Sequence, residues 1–127
     1  VSPILNPEVI KVCNRRKVLC SPGCGSLSEI SYAEELGVEV VKIFPGAQVG
    51  GPEFVSAVKG PMPWTSIMPT GGVTTDEEDI KKWFNAGVHC VGIGSNLILK
   101  SYLDEGNYSA LEEKVRDVIK IIDNLKK

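Results

Sequence analysis

The sequence is poor in histidine and aromatic residues, and it lacks several patterns that would define a function. His89 is the one histidine among 127 residues, and the four cysteines include no C-x-x-C pair. A zinc site built from His and Cys is therefore not predicted. The cysteines are expected to be free thiols of a cytoplasmic enzyme, and the alternative is two disulfides. The net charge of −2 comes with no basic stripe, which argues against a nucleic-acid partner. No apolar run approaches the roughly 20 residues that a membrane helix needs, so no membrane partner is expected.

The composition fits one small folded unit. Hydrophobic residues make up 43% of the 127 positions, so residues 1–127 are predicted to form a single domain. The chain opens within an apolar phrase at Val1 rather than at a methionine, so it is expected to be a fragment or a processed product. Helix starts are predicted where a capping residue precedes a periodic segment: Asn6 with Pro7, Ser26 with Glu29, Thr75 with Glu78, and Ser109 with Glu112.

Short apolar phrases alternate with these helices and predict parallel strands. They lie at residues 1–3, 18–20, 38–44, 64–69 and 89–93, and they recur about every 17 to 27 residues, as in βα units. About five strands are fewer than the eight of a (β/α)₈ barrel, which typically has about 250 residues. The chain is therefore predicted to be part of such a barrel. The alternative is a complete open sheet in the doubly wound style.

One of these strands carries a lysine among apolar neighbours. Side chains alternate between the two faces of a strand, so Lys42 shares a face with Val40 and Phe44 near the carboxyl end. Desolvation lowers the pKa of an amine and makes it a nucleophile towards carbonyl groups. Lys42 is thus a candidate nucleophile. The alternative is a lysine at a strand end that reaches solvent or pairs with a carboxylate.

Two glycine-rich turns follow consecutive strands, at residues 69–72 (PTGG) and 92–95 (GIGS). Glycine lets a backbone approach a ligand closely, and free N–H groups at a helix start favour an anion. In (β/α)₈ enzymes a phosphate commonly binds after the last two strands and at a short extra helix, which residues 94–97 are expected to begin. The pattern favours a phosphate site in the C-terminal part of a barrel, and the alternative is a pair of ordinary connecting turns. No nucleotide-binding motif is present.

In order and spacing, three motifs closely resemble those of the 2-keto-3-deoxy-6-phosphogluconate and 4-hydroxy-2-oxoglutarate aldolases: residues 41–46 (VKIFPG), 68–72 (MPTGG) and 92–95 (GIGS). The resemblance implies a class I aldolase on a (β/α)₈ barrel, a homotrimer, a cytoplasmic location and no cofactor. It implies that Lys42 forms the Schiff base, that Thr70 helps to hold the pyruvyl carboxylate, and that Phe44 is an apolar wall. It assigns Gly71, Gly72, Gly94 and Ser95 to the phosphate site and places Pro22 and Gly23 near the substrate.

The family's first three strands carry a general-base glutamate, an arginine and a Gly-Ala-Gly-Thr turn, and none of them appears in this sequence. The glutamates at residues 29, 34, 35 and 39 fall on predicted helices or on a helix-facing side, so none is predicted to be the base. The resemblance therefore implies part of a catalytic unit whose partner is a small phosphorylated 2-keto acid.

The implied reaction is cleavage of that keto acid to pyruvate and an aldehyde. The alternatives are a 2-keto-3-deoxy-6-phosphogalactonate aldolase, a phosphate-binding barrel in which Lys42 only pairs with an anion, and a non-catalytic partial barrel.

Overall fold

The computed structural model describes residues 2–126 as an α/β fold of short parallel strands and longer helices. The strands are β1 Gly23–Cys24, β2 Val41–Ile43 and β3 Ile67–Pro69. The helices are α1 Pro7–Arg16, α2 Leu27–Glu35, α3 Gly51–Lys59, α4 Glu77–Asn85, α5 Lys100–Asp104 and α6 Tyr108–Leu125. The predicted strand at residues 1–3 begins at Val1, which lies outside the described residues.

The three strands form a parallel sheet in the order β1-β2-β3, the same as their order in the chain. One backbone contact at each edge of the sheet links it to a further segment of the chain. The Ser2 N–H donates to the Ser21 carbonyl at 3.2 Å, and Thr70 forms an isolated parallel bridge with Gly92. Consecutive strand order without a reversal is the arrangement of a (β/α) barrel and lacks the switch point of a doubly wound sheet. The predicted partial barrel is confirmed.

Four predicted strands differ from the structure in position or extent. Those predicted at residues 38–44 and 64–69 are shorter, as β2 and β3, and the other two differ more. Residues 18–20 are not a strand, because α1 closes with Lys17 in the left-handed region and the Val18 N–H still donates to the Cys13 carbonyl. The sheet begins only at Gly23. Residues 89–93 form no ladder and only the bridge at Gly92, since no further strand pairs with them among the described residues.

The helix starts are partly as predicted. Asn6 caps α1 and Ser26 caps α2, with the Ser26 hydroxyl accepting from the Glu29 N–H at 3.3 Å. The predicted caps Thr75 and Ser109 are wrong, because the side chains that cap α4 and α6 by hydrogen bonds are those of Asp76 and Asn107. In both cases an Asx side chain reaches the free N–H groups of the first turn from a position that the Ser/Thr pattern did not consider.

The core lies between the sheet and the helices that cover its outer face. Val41 and Ile43 of β2 pack there with Ile30 of α2, Val55 of α3 and Trp83 of α4. Burial of such side chains supplies most of the stabilisation in a domain of this size. The alternation predicted for residues 40–44 is therefore confirmed on this face, which leaves the other face of β2 for Lys42.

Two apolar positions depart from the expected burial. Trp64 is 69% exposed, and its indole N–H donates to a Glu34 carboxylate oxygen at 3.3 Å. Ile119 on α6 is exposed, although its neighbour Val118 is buried. Among residues 2–126, no helix combines the length and the apolarity required to span a membrane.

Candidate active site

Lys42 projects from the middle of β2 towards the face opposite the core. Its side chain is only 7% exposed, and its Nζ lies 4.4 Å from the centroid of the Phe44 ring. Nζ donates a hydrogen bond to the Ser2 carbonyl at 3.3 Å. No carboxylate in the described part of the chain lies within ion-pair distance of this amine. The alternative in which Lys42 pairs with an acidic side chain therefore finds no partner in residues 2–126.

Burial lowers the pKa of the Lys42 amine from its ordinary value. The physical cause is desolvation, which penalises the charged form, and no nearby anion restores it. The contacts that favour the charged amine are one hydrogen bond to the Ser2 carbonyl and the aromatic face of Phe44. A larger fraction of neutral amine near physiological pH is the condition that nucleophilic attack on a carbonyl requires.

A cavity of about 460 Å³ opens beside Lys42. Most of the residues predicted for the site line it, namely Lys42, Phe44, Thr70, Gly71, Gly72, Gly94 and Ser95. Pro22 and Gly23 do not line it. They are buried below it in the sheet, where the Pro22 carbonyl accepts the Lys42 backbone N–H at 3.1 Å. Their position holds the lysine strand in register and does not bring them into the cavity.

The first glycine turn has bound carbonyls, whereas two of its amide groups have no acceptor among the described residues. The N–H of Gly46 donates to the Thr70 carbonyl at 2.7 Å, and that of Ala47 donates to the Gly71 carbonyl at 3.0 Å. No protein acceptor in residues 2–126 contacts the N–H of Gly71 or Gly72. Two successive free amides make a concave site suited to an anion.

Gly72 is required by both its conformation and its surroundings. Its φ is +87°, a region that side chains disfavour, and a Cβ at this position would collide with the Cβ of Ala47. The adjacent Gly71 has φ +81°. The backbone of this turn can therefore take its shape only with glycine at residue 72.

The second glycine turn differs from the prediction. Residues 94–97 form one hydrogen-bonded turn, in which the Gly94 carbonyl accepts from Leu97 and Ile98 at 2.9 Å each, and the next helix, α5, begins only at Lys100. A helix dipole therefore does not contribute at this turn. Within the described residues the N–H groups of Gly94 and Ser95 have no protein acceptor, so any attraction for an anion comes from the amides themselves.

Thr70 belongs to the first turn, forms a bridge with Gly92 of the second and lines the cavity, but its hydroxyl is buried. Its Oγ1 is inaccessible and has no hydrogen-bond partner among the described residues. Its methyl group fills the space where a side chain at residue 92 would be, so only glycine at residue 92 leaves room for this Thr70 rotamer. An unpartnered buried hydroxyl costs about 1–3 kcal/mol. Rotation about χ1 would be needed before Oγ1 could bind a ligand.

Five lining residues were not predicted for the site: Met68, Val73, Gly92, Ile93 and Asn96. Met68 is the register partner of Lys42 on β3 and faces the same cavity. Strand alternation could have identified it, because Met68 shares a face with Thr70, two residues further on. Asn96 carries no such signal, since it lies in an irregular turn.

Fold and site together define a partial (β/α)₈ barrel with a buried lysine and two glycine turns that line one cavity. The model of the KDPG and KHG aldolase family matches residues 1–114. The chain belongs to this family.

Relatives and solved structures agree with this placement. The chain is similar to the 2-dehydro-3-deoxy-phosphogluconate aldolase of Haemophilus influenzae, with 32% identity over 122 residues, 96% of this chain and 57% of the relative. It is 34% identical to the 2-dehydro-3-deoxy-6-phosphogalactonate aldolase of Escherichia coli, over 76% of this chain and 46% of the relative.

Among solved structures, a KDPG aldolase from Legionella pneumophila, with pyruvate captured as a covalent carbinolamine, superposes with a TM-score of 0.79 at 26% identity. The superposition covers 88% of this chain and 53% of that one. The chain thus spans about half the length of the relatives it matches.

Proposed function

We propose that this chain carries the imine-forming part of a class I aldolase. The substrate would be 2-keto-3-deoxy-6-phosphogluconate, 4-hydroxy-2-oxoglutarate or both, and the products pyruvate and an aldehyde. The observation that carries the proposal is the Lys42 amine, which is buried, unpaired with any carboxylate of residues 2–126, and exposed to a cavity of about 460 Å³. Family membership supports the reaction class.

The chemistry follows from the neutral amine. Lys42 Nζ attacks the 2-keto carbon, and loss of water from the carbinolamine leaves a protonated imine. This cation accepts the electron pair of the C3–C4 bond as that bond breaks, which releases the aldehyde and leaves a pyruvyl enamine. Protonation at C3 and addition of water return pyruvate and the free amine. Apolar neighbours such as Met68 and Phe44 keep water from solvating the amine.

The C4 hydroxyl must lose its proton as the bond breaks, which requires a general base. No Asp or Glu of the described residues lines the cavity. The proposal therefore assigns the base to a group outside residues 2–126, as the resemblance to the aldolases implied.

The phosphate of the substrate would bind at the two glycine turns. The free amides of Gly71, Gly72, Gly94 and Ser95 support this assignment, because amide N–H groups without an internal acceptor favour an anion. Thr70 is proposed to help hold the carboxylate after rotation of its hydroxyl, and Phe44 to form an apolar wall. Metal ions are not part of the mechanism proposed.

Two other functions have specific support. The similarity to the Escherichia coli galactonate-type enzyme supports a substrate with the opposite configuration at C4. The lack of a carboxylate in the cavity supports a non-catalytic role for this chain alone, such as a partial barrel that only binds an anion through Lys42. A homotrimer and a cytoplasmic location stay predictions.

Trapping of the imine tests the proposal. The 127-residue chain is incubated with pyruvate and borohydride, and intact mass and peptide mapping locate the adduct. We expect a reduced pyruvyl adduct on Lys42, none in Lys42→Met, and a normal adduct in Lys82→Met, which removes an exposed lysine of α4. An unmodified Lys42 would exclude imine chemistry and leave the anion-binding alternative.

A further inference from the structure

The side chain of Asn96 joins the two glycine turns. Its Nδ2 donates to the Val73 carbonyl at 2.9 Å, which connects positions 23 residues apart in the chain. No other side-chain hydrogen bond of the described residues links the turn at 94–96 to the turn at 70–74. Since Asn96 and Val73 both line the cavity, the bond spans one wall of the site.

The first turn is already held firmly at its other contacts. The Thr74 N–H and hydroxyl both donate to one carboxylate oxygen of Asp79 on α4, at 2.8 Å each. The side chain of Val73 is buried in the core cluster. The Val73 carbonyl is therefore a fixed point.

The second turn has fewer restraints. Gly94, Ser95 and Asn96 are all exposed, and a Cβ at Gly94 would meet nothing within 4 Å. The turns are joined at their start by the backbone bond from the Gly92 N–H to the Pro69 carbonyl at 2.9 Å. Beyond Gly92, the Asn96 bond is the side-chain contact that sets the position of the Gly94 and Ser95 amides relative to the first turn. An anion that contacts both turns needs their amides at a set separation, and a preformed separation improves affinity because the ligand need not order the loop.

We propose that Asn96 is a positioning residue that holds the two anion-binding turns together and so gives the site its preference for phosphorylated over unphosphorylated substrates. The inference rests on the proposed function for the identity of the substrate. The role of Asn96 towards the anion stands on the geometry of the turns alone. Asn96 acts through the backbone amides and need not touch the reacting carbons.

Two ligands test the two parts of the site separately. Inorganic phosphate tests the glycine turns, and pyruvate tests the Lys42 amine. Phosphate affinity is measured by calorimetric titration, and imine formation by the rate of borohydride trapping with pyruvate. Asn96→Leu removes the donor at similar volume, and Asn96→Ala provides a second variant. Loss of one hydrogen bond predicts phosphate binding weaker by about 3- to 10-fold, with a smaller fall in the trapping rate. Asn124→Ala, an exposed position on α6, is the matched control and should change neither.

The results of these measurements either support or overturn the positioning role of Asn96. Unchanged phosphate affinity in both Asn96 variants would overturn the positioning role, and so would an equal loss of phosphate affinity and trapping, which indicates a general structural defect. If the parent chain traps no pyruvate but binds phosphate in an Asn96-dependent way, the aldolase proposal fails and the positioning role stands.

Discussion

At the scale of single residues, the chemistry depends on how Lys42 is solvated. An ammonium group on a flexible stem normally keeps its charge in water. In β2 the backbone instead directs this side chain between Phe44 and the register partner Met68, with one carbonyl of Ser2 as its hydrogen-bond acceptor. Apolar neighbours and the lack of a carboxylate among the described residues both favour the neutral amine.

A carboxylate placed beside this amine should reverse the effect. We expect Met68→Glu to raise the pKa of Lys42 by about one unit or more, because an opposite charge at close range favours the charged form. Competitive acylation followed by mass spectrometry measures the pH midpoint for each lysine. Lys11 and Lys81 are internal references, since their amines donate hydrogen bonds to the carboxylates of Glu8 and Glu77, which raises the pKa of each amine.

Two controls accompany this measurement. Met68→Leu keeps the apolar neighbour, and Gln48→Glu adds the same charge at an exposed position outside the cavity. Neither should move the Lys42 midpoint. A Met68→Glu midpoint equal to that of the parent would show that Met68 does not control the amine.

The buried amine should also cost stability in a pH-dependent way. The pKa of Lys42 is lowered in the folded state, so the unfolded chain binds more protons between the lowered and the ordinary pKa. The free energy of unfolding contributed by Lys42 therefore rises with pH through that window. Lys42→Met should stabilise the fold below the window by about 1 kcal/mol, and the advantage should shrink as pH rises. Urea unfolding of both proteins across this range measures the difference, and a constant difference would contradict the assignment.

At the scale of elements, the first turn of α4 shows how local bonding sets up the site. The Asp76 carboxylate accepts from the N–H groups of Glu78 and Asp79 at 3.1 and 3.2 Å. The same helix presents Asp79 to Thr74, which restrains the glycine turn. The start of α4 therefore connects helix stability to the geometry of the anion site.

Removal of the cap tests which residue begins α4. Asp76→Ala should lower the free energy of unfolding by about 0.5–2 kcal/mol, since two backbone N–H groups lose their acceptor. Thr75→Ala removes the residue that the sequence pattern favoured, and it should have a much smaller effect because Thr75 makes no capping bond to α4. Urea denaturation compares the two variants. Equal losses would argue against Asp76 as the sole cap.

At the scale of the whole molecule, stability is concentrated in the central strand. β2 is paired on both sides, with the Lys42 and Phe44 N–H groups donating to β1 and its neighbours and the Val41 N–H donating to Ser66. The edges of the sheet are held by few bonds, those at Ser2 and around Gly92. The part of the cavity wall nearest Gly92 is thus expected to open more readily, with faster hydrogen exchange, than the part formed by β2.

Hydrogen exchange should show this gradient. We expect the amides of Lys42 and Phe44 to exchange at least about tenfold more slowly than those of Ser2 and Gly92, a difference of roughly 1.4 kcal/mol in opening free energy. Peptide-resolved mass spectrometry after timed labelling measures it. Uniform exchange across the sheet would mean that the strands open together and that the edges are as stable as the centre.

Much of the site could be predicted from the sequence, because its parts are encoded locally. The alternation around Lys42 and the glycines of both turns depend on residues close in the chain, and the structure places all of them at one cavity. Asn6 and Ser26 were identifiable as caps for the same reason, since a side chain and the N–H groups it binds lie within three residues.

Tertiary structure alone decided the rest. Three features depend on segments that are distant in sequence. They are the burial of Pro22 and Gly23 outside the cavity lining, the pairing of Met68 with Lys42, and the hydrogen bond from Asn96 to Val73. The start of β1 at Gly23 likewise depends on a distant pairing, because the Lys42 N–H donates to the carbonyl of Pro22, the residue before β1. Local propensity contains no information on such pairings, because they arise only when packing brings separate strands and turns together.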